Sequence, residues 1–458
     1  MIHRLQGKHW LYFAMALCLF AVLLAGLIHL AVNGAAHVRT MDAGQFRAFV
    51  DGPQGNIGSV YDRQGEVLFS PDQPVDRSVH SLVGSLTPMI TNSVVQRFDL
   101  DLMGWEGYSL WQGADSLEGT GADLFLTLDA PTQQAVTTLL EKHQVSGLVA
   151  ACDASTGALL CLASTPAAGS KEDVTTLPDG ALLNKNLYTT MAGSTMKVVT
   201  TALLVEQAGL DALTAYRCPC TGSDILAADG TAIVCSTRQG EQDIVSALGV
   251  SCNVFFANAI EEFLDPAVTT EALDRYGFAP QQERKSLDLM SYSPSQVTFA
   301  DHTFSSVWQL MGQVTTVSPL DMLRFTAALF HQGQAPTPYL LAAEANRTHT
   351  KLLFQANPDR QAILSPETAA QVAALWTEAY TTYYDTAPYS PYLTAAKTGT
   401  AQQGNGQVNK LLLGYSKELD VVFFLSLEDW RPDSGLPTQE VANCLLESLA
   451  ASGCAAAS

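Results

Sequence analysis

A serine and a lysine three positions apart are the residues whose types and spacing best fit covalent chemistry. Ser194 and Lys197 lie in the stretch Ala192-Gly193-Ser194-Thr195-Met196-Lys197, which continues into an apolar segment ending at Leu204. Residues three apart on a helix are neighbours, so the two side chains form a candidate nucleophile with its own base. Because Ser-x-x-Lys occurs about once by chance in a chain of this length, a helix-capping serine and a solvated lysine are the alternative.

Two further motifs follow along the chain. Ser251-Cys252-Asn253 has little weight alone, because a capping serine and a turn asparagine explain it equally well. Lys397-Thr398-Gly399-Thr400 is more specific, with about one chance occurrence in ten thousand windows. Together the three motifs supply a candidate nucleophile, two lysines and several hydroxyl and amide groups.

A lysine base needs help from its surroundings. A free lysine has a pKa near 10.4, so deprotonation near neutrality requires about 4–5 kcal/mol of differential stabilisation. A helix N-terminus contributes only about 0.3–1 kcal/mol against a nearby cation. We therefore expect Lys197 to be buried and a second cation, for which Lys397 is the candidate, to lie close to it.

The elements that must position these motifs are predicted to be strands at both ends of the main region with helices between them. Ser318-Pro319 and Ser365-Pro366 start helices that end before Gly333 and near Tyr380. The other predicted elements are a hairpin in 55–65, a strand over 124–128, a helix over 130–142, hairpins over 148–162 and 411–427, and a helix over 438–450. This order predicts an α+β fold with a mixed sheet covered by helices.

The charge balance and one apolar run indicate which partners and which cellular location to expect. Acidic residues outnumber basic ones 45 to 24, for a net charge of −21, which argues against nucleic acid as a partner. The run from Trp10 to Val32 is long enough to span a bilayer, and Arg4 and Lys8 before it favour a cytoplasmic N-terminus. A cleaved signal peptide, with Ala35-Ala36 near the cut, is the alternative. We predict an uncleaved single-pass anchor and an extracytoplasmic main region.

The cysteines leave two interpretations open. Among the nine cysteines of the chain, Cys220 and Cys235 are a candidate disulfide. A zinc site that includes Cys218 is the rival, but no fourth ligand stands at metal spacing and no histidine lies nearby. We predict no metal and no cofactor.

Taken in order, the three motifs resemble those of the penicillin-binding transpeptidases, specifically the monofunctional, membrane-anchored class B type. Further similar segments cover most of the chain after the apolar run: 57–65, Leu126-Thr127-Leu128-Asp129, Gly312-Gln313, Ser318-Pro319-Leu320 and Gly333. Ala192 and Ala396 depart from the family pattern, in which Pro and Gly usually stand at these places. The resemblance implies a transpeptidase/serine β-lactamase-like α+β domain at 122–458, a small β-rich pedestal at 37–121, and a cytoplasmic stub with a transmembrane helix at 1–36.

The resemblance also implies roles for the site residues. Ser194 would be the nucleophile and Lys197 the base, while Ser251 relays a proton and Asn253 orients the substrate amide. Lys397 would assist Lys197, and the backbone amides of Ser194 and Thr400 would form the oxyanion hole. The strand Thr398-Gly399-Thr400 would bind the terminal carboxylate and backbone of a D-Ala-D-Ala stem.

The implied function is a peptidoglycan D,D-transpeptidase that β-lactams acylate. The implied partners are stem peptides, β-lactams and a polytopic polymerase of lipid-linked glycan. A hydrolytic D,D-carboxypeptidase or β-lactamase is the first alternative, although no deacylating carboxylate is recognisable near the motifs. A non-catalytic β-lactam sensor is the second, although such sensors usually carry several membrane spans.

Overall fold

The structure is a computed structural model that describes residues 17, 19–25, 57–87, 89–103, 121–225, 230–402, 407–431 and 435–453. After residue 57 its helices are α1 Arg77–Val83, α2 Val94–Arg97, α3 Asp99–Met103, α4 Ala130–Lys142, α5 Met196–Ala208, α6 Leu210–Ala215, α7 Ile244–Gly249, α8 Asn253–Phe263, α9 Pro266–Tyr276, α10 Phe304–Leu310, α11 Pro319–Phe330, α12 Pro366–Tyr383 and α13 Thr438–Ala451. Its strands are β1 Val60–Tyr61, β2 Val67–Phe69, β3 Ala122–Leu126, β4 Ser146–Asp153, β5 Leu159–Thr165, β6 Thr190–Met191, β7 Cys218–Cys220, β8 Ser223–Ile225, β9 Ala232–Val234, β10 Gly240–Gln242, β11 Lys285–Leu287, β12 Met290–Tyr292, β13 Thr316–Val317, β14 Gln334–Pro336, β15 Leu341–Asn346, β16 Leu352–Gln355, β17 Arg360–Ala362, β18 Ala395–Gln402, β19 Val408–Ser416 and β20 Val421–Glu428.

An antiparallel sheet in the order β18-β19-β20-β4-β5 forms the centre of the fold. Strands β4, β5 and β20 are almost entirely buried, and because successive side chains point to opposite sides, both of their faces pack against helices. Phe424 packs in the core shared with α5, α11 and α12, whereas Phe423 packs in a separate core with α4 and α13. The predicted α+β fold, a sheet covered by helices, is confirmed, and the central sheet is antiparallel.

A second sheet joins distant parts of the chain in the order β16-β15-β3-β1-β2. Strand β1 runs parallel to β3, and β15 pairs antiparallel with the other side of β3. Side chains on both sides of position 122, such as Val60, Leu124 and Met196, belong to one core. The division into 37–121 and 122–458 remains a prediction.

Local signals in the sequence placed several elements correctly. The helix over 130–142 has the predicted bounds, and Asp129 caps it by accepting the backbone N–H of Thr132 at 3.1 Å. Ser365 likewise accepts the N–H of Thr368 at 2.9 Å at the start of α12, which extends three residues beyond Tyr380. Capping residues and proline at the first helical turn fix such starts locally.

The predicted anchor lies mostly outside the described residues. Within Trp10–Val32, residues 17 and 19–25 are helical, and their large apolar side chains are exposed. Over the described ranges, no helix combines the length and apolar character that a bilayer crossing requires.

Candidate active site

Ser194 lies in a single 3₁₀ turn rather than on the α-helix that the sequence suggests. The turn spans Gly193–Thr195, and α5 begins at Met196. Thr195 stabilises the turn, because its hydroxyl donates to the carbonyl of Ala192 at 2.6 Å. Ser194 is half-buried, whereas Lys197, in the first turn of α5, is fully buried.

Two glycines let this turn pack against neighbouring backbone. A Cβ added to Gly193, whose φ is +50°, would lie 3.2 Å from the carbonyl carbon of Thr400. A Cβ on Gly312, whose φ is +81°, would lie only 1.7 Å from the carbonyl oxygen of Gly193. Only glycine fits such an approach without movement of backbone. The turn with Ser194 is therefore held between the Gly312 loop and the third motif.

The second motif surrounds the amine of Lys197. Nζ lies 2.8 Å from the carbonyl oxygen of Ser251, 3.2 Å from the Ser251 hydroxyl and 2.7 Å from Oδ1 of Asn253. Ser251 adopts a left-handed conformation with φ of +62°, which is uncommon for a residue other than glycine. Asn253 is oriented in turn, because its Nδ2 donates to the carbonyl of Val234 at 2.8 Å.

These contacts suit a neutral amine as well as an ammonium. Two of the partners are carbonyl oxygens that can only accept, whereas the Ser251 hydroxyl can also donate a proton. A deprotonated Lys197 would therefore keep all three hydrogen bonds. Burial, and secondly the charge of Lys397, lower the pKa of Lys197 to about 7. The expected burial and the nearby second cation are both present.

Lys397 is also fully buried, on β18. Its Nζ donates to the carbonyl of Thr398 at 2.8 Å, and burial lowers the pKa of Lys397 to about 7. In the described part of the chain, neither buried lysine forms an ion pair with a carboxylate. With both pKa values lowered to about 7, Lys197 can be neutral and available as a base while Lys397 still carries partial positive charge.

The third motif forms the edge of the central sheet. Among the described residues, β18 pairs only with β19. The N–H of Thr398 donates to the hydroxyl of Tyr384 at 3.0 Å, and the carbonyl of Thr400 accepts from Nε2 of Gln313 at 3.2 Å. The N–H and C=O of one strand residue point to the same side, and this side alternates along the strand. The backbone groups of Thr398 and Thr400 therefore face away from β19, toward the open edge.

Three side chains at this edge have no role in the sequence prediction. Tyr384 directly follows α12, and its hydroxyl lies 3.1 Å from Oγ1 of Thr398. Lys410, opposite Thr400 on β19, donates to the Thr400 hydroxyl at 3.2 Å. Gln313 was recognised only as part of a similar segment. No local pattern marks these residues, because their contacts arise only when distant segments meet.

The structure brings all eight predicted site residues to one region. Ser194 lies beside β18, Lys197 lies between the first and second motifs, and Lys397 lowers the pKa of Lys197 through its charge. Burial with no counter-charge is the condition under which a lysine can act as a base near neutrality. The arrangement can support attack by Ser194 with proton transfer to an amine.

The candidate disulfide is not formed in the structure. Cys220 and Cys235 are both free thiols, although their sulfur atoms lie within 4.8 Å of each other. Cys252, the middle residue of the second motif, lies in the same group. The sequence prediction missed this third thiol because it approaches from a separate helix start.

Comparison with known proteins agrees with the fold and the motifs. The family model of the penicillin-binding protein transpeptidase domain matches residues 147–447. Penicillin-binding protein A from Mycobacterium tuberculosis, as a ceftriaxone acyl-enzyme complex, is 18% identical with a TM-score of 0.73, over 87% of this chain and 99% of that one. The D,D-transpeptidase domain of a peptidoglycan glycosyltransferase from Eggerthella lenta is 21% identical with a TM-score of 0.71, over 88% and 100% of the two chains.

A third similar structure is penicillin-binding protein 3 from M. tuberculosis, complexed with ampicillin, at 19% identity and a TM-score of 0.71. It covers 88% of this chain and 96% of that chain. At these identities the likeness concerns the fold, while the family model extends over more than half of the sequence. The chain belongs to the penicillin-binding transpeptidase family.

Proposed function

We propose that this protein is a class B peptidoglycan D,D-transpeptidase that works through an acyl-enzyme on Ser194. The observation that carries the proposal is the buried amine of Lys197, held by Ser251 and Asn253 next to the serine turn, with a pKa lowered to about 7. A surface lysine or a helix-capping serine would need neither the burial nor the lowered pKa. Nucleophile activation explains both.

The first half-reaction forms a new ester. Ser194 Oγ attacks the carbonyl of the penultimate D-Ala while its proton passes to the neutral amine of Lys197. The C–N bond then breaks, and the terminal D-Ala leaves with a proton delivered through Ser251. The N–H groups of Ser194 and Thr400 stabilise the tetrahedral oxyanion, and such donors contribute roughly 3–4 kcal/mol each.

The open edge of β18 provides the binding surface in this proposal. A substrate backbone adds along Thr398-Gly399-Thr400, where Gly399 permits close approach. The hydroxyls of Thr398 and Thr400 hold the terminal carboxylate, and Lys410, whose Nζ donates to the Thr400 hydroxyl, supplies positive charge beside it. In the second half-reaction, an amine from a neighbouring stem attacks the ester and releases Ser194.

β-Lactams would acylate the same serine. Acyl-enzyme complexes of a similar protein with ceftriaxone, imipenem and penicillin G support this part of the proposal. The lactam nitrogen takes the place of the leaving D-Ala nitrogen but stays attached to the acyl group. The acyl-enzyme then lacks an open path for an incoming amine.

The proposal places the catalytic region outside the cell membrane. A single-pass anchor over Trp10–Val32, a pedestal over 37–121 and a transpeptidase domain over 122–458 follow from the sequence. A polytopic polymerase that extends lipid-linked glycan is the partner that the family resemblance implies. Exposure of the catalytic region to an external protease in intact cells would support this orientation, and protection would contradict it.

Labelling with a fluorescent penicillin tests the nucleophile. Wild type should retain covalent label, and Ser194→Ala should lose it, while Ser286→Ala, at an exposed serine of β11, should label normally. Equal labelling of Ser194→Ala would refute the assignment. Loss of the wild-type label within seconds would favour the hydrolytic alternative.

A stem peptide ending in D-Ala-D-Ala tests the reaction itself. With an added amine acceptor, mass spectrometry should detect a new amide together with released D-Ala. Release of D-Ala without any amide product would identify a carboxypeptidase instead.

A further inference from the structure

Three cysteine sulfurs converge beside the second motif. Cys220 ends β7, Cys235 directly follows β9, and Cys252 stands between Ser251 and Asn253. All three sulfur atoms lie within 4.8 Å of one another, and those of Cys235 and Cys252 are 3.8 Å apart. Cys220 and Cys252 are buried and Cys235 is half-buried. Three soft donor atoms thus share one small, mostly enclosed volume.

Backbone contacts hold each cysteine in place independently of its sulfur. Cys220 pairs with Gly240 across the β7–β10 ladder. The N–H of Cys235 donates to the carbonyl of Gly222 at 2.9 Å, and that of Cys252 donates to the carbonyl of Ala247 at 2.8 Å. The donor set is therefore arranged by three separate segments before any ligand binds.

The spacing of the sulfurs fits a trigonal metal ion. With metal–sulfur bonds of about 2.3 Å, three sulfurs around one ion lie about 4 Å apart. Over the described ranges, no fourth histidine, cysteine or carboxylate joins the group. A structural zinc ion normally takes four ligands, whereas monovalent copper is a soft ion that thiolates select.

A backbone contact from the start of α8 orients the sulfur of Cys252. Cys252 is the N-cap of α8, and its sulfur accepts the backbone N–H of Phe255 at 3.4 Å. Such a contact from outside the ligand set fixes the orientation of the sulfur.

We propose that Cys220, Cys235 and Cys252 form a binding site for Cu(I). Binding forms three Cu–S bonds and releases to solvent whichever thiol protons are still present, with no change of oxidation state. Because Cys252 lies between Ser251 and Asn253, the ion would tie β7 and the β8–β9 hairpin to the residues that hold Lys197. The site does not depend on acylation of Ser194.

An anaerobic titration of the reduced, full-length protein with Cu(I) tests the site. In competition with a chromophoric Cu(I) chelator, wild type should take up one ion per chain and gain a sulfur-to-copper absorption band. Bound Cu(I) should also protect these three cysteines from iodoacetamide, as mapped by mass spectrometry. Protection identifies the ligands without reference to enzyme activity.

A matched pair of variants locates the site. Cys220→Ser should weaken Cu(I) binding by more than about 100-fold. Removing a group that only hydrogen-bonds to a metal ligand already lowers metal affinity by about 10–100-fold, and Cys220 would be a ligand itself. Cys218→Ser is the control, because Cys218 is a buried cysteine on the same strand whose sulfur is outside the group. Circular dichroism shows whether each variant folds. If Cys220→Ser fails to fold, Cys235→Ser provides the same test at a half-buried position.

Five results would overturn the proposal, and four of them come from the titrations. These are no uptake of Cu(I) by the wild type, unchanged affinity in a folded Cys220→Ser variant, equal loss of affinity in Cys218→Ser, and tighter binding of Zn²⁺ than of Cu(I). A stable disulfide between any two of the three cysteines in protein isolated without reductant would also contradict it, because that bond removes two of the ligands.

Discussion

Two buried lysines, neither of which has a carboxylate partner among the described residues, dominate the site at the scale of single residues. Lys197 and Lys397 each have a pKa lowered to about 7, and burial is the largest cause for both. The charge of Lys397 adds to the effect on Lys197. A protein that used these residues only for structure would gain little from burying two amines, because desolvating a charge is costly.

Substitution of Lys197 should remove acylation while the fold survives. Lys197→Met keeps an unbranched side chain of similar length at this buried position but lacks the amine. The acylation rate with a fluorescent penicillin should fall by about 10²–10⁴-fold, the usual contribution of a positioned base. Lys417→Met, at an exposed lysine, should leave the rate unchanged. An unaltered rate in folded Lys197→Met would refute the role of this amine.

The pH dependence of acylation should show the charge of Lys397. A base must be deprotonated, so the wild-type rate should rise with pH through about 7, the pKa of Lys197. Lys397→Met removes a nearby positive charge, which raises the pKa of Lys197 and moves the rise to higher pH. Rate measurements across pH 5–10 (about half a unit apart) would give the midpoint of each protein. An unchanged or lower midpoint in Lys397→Met would contradict this coupling.

The contact between Gly312 and Gly193 can be tested at the scale of elements. In Gly312→Ala, the new Cβ would meet the carbonyl oxygen of Gly193 at 1.7 Å, so the serine turn must move. Acylation should slow by at least about tenfold, and stability should fall by about 1–3 kcal/mol. Gly180→Ala is a matched control, because its φ of +84° is similar but none of the described residues lies within 4 Å of its Cβ.

Labelling rates and thermal unfolding separate the two effects of these variants. Gly180→Ala should show only the modest strain of an L-residue at positive φ. If Gly312→Ala acylates like Gly180→Ala, the loop at Gly312 does not position Ser194.

Elements with local signals were predictable, and those that depend on distant contacts were not. Asp129 and Ser365 mark helix starts through hydrogen bonds to residues three positions later, so the sequence suffices there. The 3₁₀ turn at Ser194 depends on packing against Gly312 and Thr400, which lie far away in the chain. The pairing of β15 with β3 is equally non-local.

In the candidate site, too, the residues with local signals were predictable and those brought together by distant contacts were not. Its eight predicted residues fall within three short motifs, so their types and order are visible in the sequence. Tyr384 and Gln313 reach β18 from separate segments, and Cys252 meets Cys220 and Cys235 only in the folded chain. Contacts between such separate segments cannot be predicted from a pattern of neighbouring residues.

At the scale of the whole molecule, apolar side chains in the described residues 57–103 are part of the main core. Ile57, Val60 and Leu68 are buried in the same cluster as Leu124 and Leu341. We therefore expect residues 57–453 to unfold in one cooperative transition. The sheet β16-β15-β3-β1-β2 would lose one side of β3 without the earlier strands.

Truncation tests this expectation. A chain that begins at residue 122 should be less stable than one that begins at residue 57, by at least about 5 kcal/mol at 1.5–3 kcal/mol per large apolar side chain lost from the core. Urea unfolding followed by tryptophan fluorescence would measure the difference. Equal stability of the two chains would show that 37–121 is an independent pedestal.

The unpaired edge of β18 also affects how copies of the protein behave toward one another. Among the described residues no further strand pairs with this edge, and only side chains such as Tyr384 and Gln313 contact its backbone. A strand edge that can admit a substrate backbone can equally pair with the same edge of another molecule. The net charge of −21 opposes that encounter through repulsion between copies. We expect self-association to increase as salt screens this repulsion or as the pH approaches the isoelectric point near 4.7, and light scattering can follow it. Solubility and substrate access would then depend on the same strand.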